Sequence, residues 1–216
     1  MSAPSSSQSA GLGLEAAVTA VIEAGARAAA RGWTPATAGN FSARVDEGRI
    51  AVTRTGVDKG AIGVNDVAAL HLAEPTYDGL SAEAPLHVAL YRADPARACV
   101  WHVHSPAAVV LSRLAEGDGV VRLQGWELAK ALAGVTSHED AVEVPVLAND
   151  QDTQALADRA DARLAAPAVG ARIAPGYLLA GHGLYAWGRT PAETWRHLEA
   201  LETLLAQELE LRRSRR

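Results

Sequence analysis

The sequence predicts an α/β fold: a single domain with a central, mostly antiparallel sheet flanked by helices. Three observations point to it. Short β-branched or alternating runs separated by glycines crowd the stretch from Trp33 to Val67, the pattern of short paired strands with tight turns. Helical patterns then interleave with strands, but irregularly and without a sustained βαβ period. No internal repeat or linker divides the 216 residues, 49% of them apolar and 21% charged, an ordinary composition for one buried core.

In order, residues 1–10 (Met-Ser-Ala-Pro-Ser-Ser-Ser-Gln-Ser-Ala) read as a disordered tail, and residues 11–216 as the domain. From about Leu14 to Arg31, Val18, Val21, Ile22, Gly25 and Ala29 fall at helical spacing, and Gly32 stops the run. Phe41–Val45, Arg49–Thr53 and Val67–Leu72 read as strands. A helix is expected after Ser81 as N-cap, with Leu86, Leu90 and Tyr91 turned inward. Residues 98–104, Ala-Cys-Val-Trp-His-Val-His, read as a buried strand that runs into a helix opened by Ser105-Pro106. A short helix over Trp126–Leu132, a strand over Ala141–Val146 and a helix over Asp152–Leu164 follow. Tyr177–Ala180 and Leu184–Trp187 are two half-strands interrupted by Gly181-His182-Gly183. The last helix opens with the capping box Thr190-Pro191-Ala192-Glu193.

A net charge of −5 argues against a nucleic-acid partner, which needs a basic patch to displace counterions. A single cysteine, Cys99, excludes an internal disulfide framework and fits a reducing compartment. No apolar run approaches the roughly 20 residues of a membrane helix. The start lacks the basic and apolar regions of a secretory signal, so a cytoplasmic location is expected, with no membrane partner.

The chemistry concentrates on histidine. His102 and His104 are two apart in a predicted strand, so both imidazoles project from one face, at a strand end that meets a helix start. His182 lies between glycines that let the backbone approach closely. Three histidines with an open fourth position describe a catalytic zinc site, although isolated His-x-His pairs and Gly-His-Gly bends also serve structure alone. Two glutamates, Glu83 and Glu127, stand at helix starts, where either could shuttle a proton or simply favour the helix dipole. Residues 37–40, Thr-Ala-Gly-Asn, and 53–60, Thr-Arg-Thr-Gly-Val-Asp-Lys-Gly, offer backbone N–H groups, hydroxyls and a cation, Lys59. They suit a monophosphate, or are two hairpin turns.

Six segments together resemble the class II aldolase/adducin-head family over about residues 14–211. They are residues 36–44, 53–60, 81–87 (Ser-Ala-Glu-Ala-Pro-Leu-His), 102–105 (His-Val-His-Ser), 126–132 (Trp-Glu-Leu-Ala-Lys-Ala-Leu) and 181–188 (Gly-His-Gly-Leu-Tyr-Ala-Trp-Gly). The resemblance implies a class II aldolase-like α/β/α fold and one Zn2+ per subunit on His102, His104 and His182. It places phosphate contacts at Gly39, Asn40, Thr55, Gly56 and Ser81. Glu83 matches the catalytic or metal-proximal glutamate of the aldolases, and Glu127 the acid/base glutamate of the dehydratase branch. Trp126 and Leu128 are expected to shield Glu127 from water and favour its protonated form. The implied assembly is a homotetramer with sites at subunit interfaces. The implied reaction is loss of water from 5-methylthioribulose 1-phosphate, giving 2,3-diketo-5-methylthiopentyl 1-phosphate, in methionine salvage. Alternatives are a sugar-phosphate aldolase or 4-epimerase, and a non-catalytic interaction module. Ala38 stands where the family commonly has Ser, and Arg54-Thr55 where it has Pro-Ser.

Overall fold

A computed structural model of the chain describes residues 11–166 and 169–215. The expected tail over residues 1–10 lies outside the described residues. The strands are β1 (Asn40–Arg44), β2 (Arg49–Thr53), β3 (Val67–His71), β4 (Cys99–Val103), β5 (Val120–Leu123), β6 (Val142–Leu147), β7 (Arg172–Ile173), β8 (Gly176–Leu179) and β9 (Gly183–Gly188). The helices are α1 (Leu14–Ala30), α2 (Ala84–Ala93), α3 (Pro106–Leu114), α4 (Thr153–Leu164) and α5 (Pro191–Ser214).

The strands form one sheet in the order β3-β2-β1-β4-β9-β8-β6-β5, with β7 beside β6. Only β6 pairs parallel, with β7 and β8; the other described pairings are antiparallel, as expected. Alternation along β4 sorts the two faces. Cys99, Trp101 and Val103 join the core under α1, α3 and α5, while Val100 joins Tyr177 and Tyr185 under α2 and α4. The result is an α/β/α sandwich. No described helix is long and apolar enough to cross a membrane.

Several local expectations shift. The buried stripe of α1 is Ala17, Ala20, Val21, Ala24, Gly25 and Ala28, whereas Val18, Ile22 and Ala29 are only half-buried. Small residues win that face because the chain packs close: a Cβ at Gly25 would lie 2.8 Å from the Lys59 carbonyl oxygen. The edge strands β5 and β7 carry no readable pattern in sequence, being four and two residues long. Residues Glu127–Ala131 form a 3-10 turn rather than an α-helix. At α2 the N-cap is Glu83 and not Ser81, whose Oγ instead accepts from the Glu83 N–H at 3.3 Å. Gly181-His182-Gly183 is no interruption within a strand, since Leu179 pairs with Gly183 across a hairpin loop. At α5, Thr190 Oγ1 accepts from the Glu193 N–H as a cap should, while the Glu193 carboxylate accepts from the Arg189 N–H.

One buried cation ties the sheet to α2. Arg44, 2% exposed, donates from Nε to the Arg97 carbonyl and from Nη2 to the Tyr91 carbonyl, both at 2.9 Å. The Tyr91 carbonyl lies in the last turn of α2, where carbonyls carry partial negative charge, so the guanidinium satisfies it and fixes the helix against β1.

Candidate active site

The site is built where β4 ends, the β8–β9 hairpin turns and α2 begins. His102 is fully buried on the α2/α4 face of β4, its ring stacked on Tyr185 at 4.0 Å between centroids. Its Nδ1 donates to the Leu184 carbonyl at 3.0 Å, which leaves Nε2 as a bare acceptor. His104 lies just past the strand, its backbone N–H held by the Trp33 carbonyl at 2.7 Å. His182 sits in the hairpin loop beside Gly181, whose φ is 66°. β9 must then pass against β4 at a residue with no side chain: a Cβ at Gly183 would stand 2.1 Å from the Val103 carbonyl oxygen. The two glycines therefore do different work, one turning the loop and the other letting His182 reach His102.

The three imidazoles form a triangle with centroids 4.6, 5.0 and 4.6 Å apart. Glu83 closes it, with Oε1 2.6 Å from His182 Nε2 and Oε2 3.7 Å from His102 Nε2. One donor atom from each of the four residues lies within 4.8 Å of the others. Burial pushes the His102 imidazole well below its usual range, and burial with His182 nearby brings His104 to about 4. Burial alone would raise Glu83, but His102, His182 and His104 around it hold its carboxyl well below the usual carboxylate range. The Nε2 atoms of His102 and His104 are buried without a hydrogen-bond partner among the described residues. Orphaned imidazole lone pairs facing an anionic carboxylate are a costly arrangement by themselves, and a fitting one for a divalent cation.

Beside the cluster opens a cleft of about 270 Å³, where Gly39, Thr55, Gly56, Lys59 and Ser81 converge with Glu83 and His104. Arg54 lines it too. The Lys59 ammonium donates to the Thr37 and Val57 carbonyls, each at 2.7 Å, so one side chain pins both glycine-rich loops and keeps a proton to spare. Burial lowers its pKa, with Asp58 and Glu83 opposing. Ala36 and Thr37 are held at φ 50° and 64°, strained values for residues with a Cβ.

The family model described as Class II Aldolase and Adducin N-terminal domain matches residues 19–209. The chain belongs to this family. It is 59% identical over 201 residues to a methylthioribulose-1-phosphate dehydratase of Bradyrhizobium sp. (strain BTAi1 / ATCC BAA-1182), covering 93% of each chain. A second relative of that name, from Parvibaculum lavamentivorans, is 49% identical over 193 residues, covering 89% of this chain and 93% of its own. Among solved structures, L-fuculose-1-phosphate aldolase from Thermus thermophilus matches with a TM-score of 0.70 at 26% identity, covering 92% of this chain and 95% of its own.

Within this class II aldolase family member, two residues stand apart from their sequence expectations. Asn40 is 2% exposed and spends its amide inside the protein: Nδ2 donates to Glu83 and, at 3.2 Å, to Ser81 Oγ, while Oδ1 accepts from His87. Both its N–H donors are taken, so it orients Glu83 rather than offering a free donor to the cleft.

Glu127 is the larger correction. Its side chain is 71% exposed, paired with Lys130 and 3.8 Å from His138, so Trp126 and Leu128 do not shield it. The Lys130 ammonium beside it holds its carboxyl below the usual carboxylate range, opposite to the expected protonated form. The turn that carries Glu127 packs on α5, on the face of the sheet away from His102, because Trp126 and Ala129 join the core that Leu201 and Leu205 share. Two contributors had no sequence signal at all. Asn149 Oδ1 accepts from His182 Nδ1 at 3.3 Å, and Tyr185 supplies the stacking floor under His102.

Proposed function

We propose that the protein is a zinc-dependent hydro-lyase converting 5-methylthioribulose 1-phosphate to 2,3-diketo-5-methylthiopentyl 1-phosphate in methionine salvage. The observation that carries this is that Glu83 and His104, half of the metal group, line the same cleft as the two glycine-rich loops. The 59%-identical relative, a methylthioribulose-1-phosphate dehydratase, supports the substrate. We further read the protein as a cytoplasmic homotetramer with one Zn2+ per subunit.

His102, His104 and His182 would hold the ion, with the tautomers of His102 and His182 fixed by their Nδ1 contacts to the Leu184 carbonyl and Asn149. A divalent ion held there supplies Lewis-acid polarisation of the ketose carbonyl, which acidifies the adjacent carbon. Lys59, Thr55, Gly56, Gly39 and Ser81 hold the phosphate at the far end of the cleft. Glu127 serves as general acid/base, removing the C3 proton and later protonating the departing C4 hydroxyl. Because it lies across its own sheet from the histidines, it serves a neighbouring copy of the chain. Its exposure and the sequence resemblance at residues 126–132 support that role.

The second reading, a sugar-phosphate aldolase or 4-epimerase, draws on Glu83 standing inside the histidine triangle. A non-catalytic module has no use for the orphaned imidazoles. Zinc-loaded protein incubated separately with methylthioribulose 1-phosphate, fuculose 1-phosphate and ribulose 5-phosphate tests the choice by mass spectrometry, with chromatographic separation of the epimeric pentulose phosphates. Loss of water from the first alone is expected; cleavage of the second or epimerisation of the third would overturn the reading.

A further inference from the structure

A chain of buried polar groups runs away from the cluster on the α2/α4 face of the sheet, and its centre is His87. This histidine sits on α2 with no exposed surface, among apolar neighbours such as Leu86 and Leu90. Its Nδ1 lies 2.6 Å from Ser42 Oγ, and its Nε2 contacts Asn40 Oδ1. Asn40 in turn donates to Glu83. Burial keeps the ring neutral, its pKa pushed down to about 4.

The direction of every bond in this chain follows from one constraint. Asn40 presents its NH2 group to Glu83 and Ser81 together, which turns Oδ1 towards His87. An amide oxygen needs a donor, so His87 carries its proton on Nε2, and Nδ1 accepts from the Ser42 hydroxyl. If the amide of Asn40 flipped, its oxygen would face the Glu83 carboxylate and be repelled. His87 also meets Tyr185 edge-on at 5.7 Å between centroids, and Tyr185 is the ring under His102. It therefore braces both the carboxylate and one imidazole of the cluster.

We infer that His87 is a positioning residue: its Nε2–H locks the Asn40 amide, which holds Glu83 against the three histidines and so sets how tightly the cluster binds its metal. The inference rests on the metal reading of the cluster, and on nothing about the substrate. Partners that orient metal-site residues are worth about 10–100-fold in metal affinity.

Zinc affinity of the purified protein, measured by competition with a chromophoric chelator, tests it without any turnover. Gln at position 87 can place an amide N–H near the position of Nε2, whereas Asn reaches only as far as Nδ1; both are buried neutral amides. His87→Gln should stay within a few-fold of wild type, and His87→Asn should weaken zinc by about tenfold or more. A second pair covers the case where His87→Asn does not fold. Ser42→Ala removes the donor that sets the tautomer and should weaken zinc by a few-fold. Tyr91→Phe removes a hydroxyl that donates to the Ser42 carbonyl at 2.8 Å and competes, at 3.1 Å, for the Ser42 proton; its loss leaves that proton to His87 and should keep affinity at or near the wild-type value. Nitrogen-15 spectra of the wild type should show His87 neutral with its proton on Nε2. Equal affinity in the Gln and Asn variants, or a proton on Nδ1, overturns the inference while leaving the metal centre standing. Wild-type protein that binds no zinc would instead bring down the metal reading itself.

Discussion

Gly39 lies directly against the carbonyl of His102: a Cβ at position 39 would stand 2.6 Å from that oxygen. The contact joins the first glycine-rich loop to the strand that carries the metal ligands. Gly39 also has φ 82°, so two independent costs fall on any replacement. Gly39→Ala should destabilise the fold by about 1–3 kcal/mol, as expected for a residue with Cβ forced into this region. It should also raise KM for the phosphorylated substrate more than it lowers kcat. Thermal unfolding and steady-state kinetics check both; a variant with unchanged KM would separate the loop from phosphate binding.

His102→Ala or His104→Ala should each lose about one equivalent of zinc, while circular dichroism stays close to that of the wild type. A site assembled on strand and loop ends within an apolar sandwich is there for chemistry, and the fold does not depend on it. Stoichiometric metal retained by both variants would remove them as ligands.

Those histidines were legible because alternation along a strand is strict, and His-Val-His at the end of a buried run admits few other arrangements. Gly181 and Gly183 similarly announced a backbone that bends or approaches closely. What the chain could not announce is contact across distance. Nothing local to Asn149 or Tyr185 tells of His182 or His102, and Asn40 beside a glycine reads as a phosphate donor until His87 and Glu83 are seen to occupy its amide. The place of Glu127 was hidden for the same reason. Residues 126–132 reveal a helical turn, but not that it packs on α5 and faces away from the cleft. The strands β5 and β7 escaped because four and two residues are too few to display an alternation.

Stability should depend on Glu202, a fully buried carboxyl that meets Ser105, the cap of α3. Burial pushes it up to about 8 against an ordinary 4.5, with the Ser105 bond opposing. The folded state thus keeps a proton that the unfolded state releases, and this contribution to stability is lost as pH rises from about 4.5 to 8. Glu202→Gln carries no ionisable proton and keeps the hydrogen bond. Its melting temperature relative to wild type should climb between about pH 5 and pH 8, by several degrees. A difference that does not change with pH would show that Glu202 is ionised in the folded protein.

The two glutamates should separate cleanly when replaced by glutamine. Glu127→Gln should keep zinc and lose about 10²–10⁴-fold in turnover, the usual worth of a general acid/base. Glu83→Gln removes the negative charge facing three imidazoles, so it should weaken zinc by about tenfold, with a smaller loss of turnover once zinc is saturating. The reverse ordering at saturating zinc would favour the aldolase reading.

In the proposed enzyme one chain's histidines work with the next chain's Glu127, and subunit mixing tests this sharing most directly. His104→Ala and Glu127→Gln proteins, each inactive alone, are dissociated, mixed in equal amounts and reassembled, with wild type carried through the same treatment. If the site is shared, random assembly gives about a quarter of sites an intact histidine set facing an intact Glu127, since each half is drawn independently with a chance of about one half. Dehydration of methylthioribulose 1-phosphate should then return to about that fraction of the wild-type rate. If both groups belong to one chain, every site in the mixture lacks one of them. A mixture that stays inactive while the treated wild type recovers would contradict the shared site.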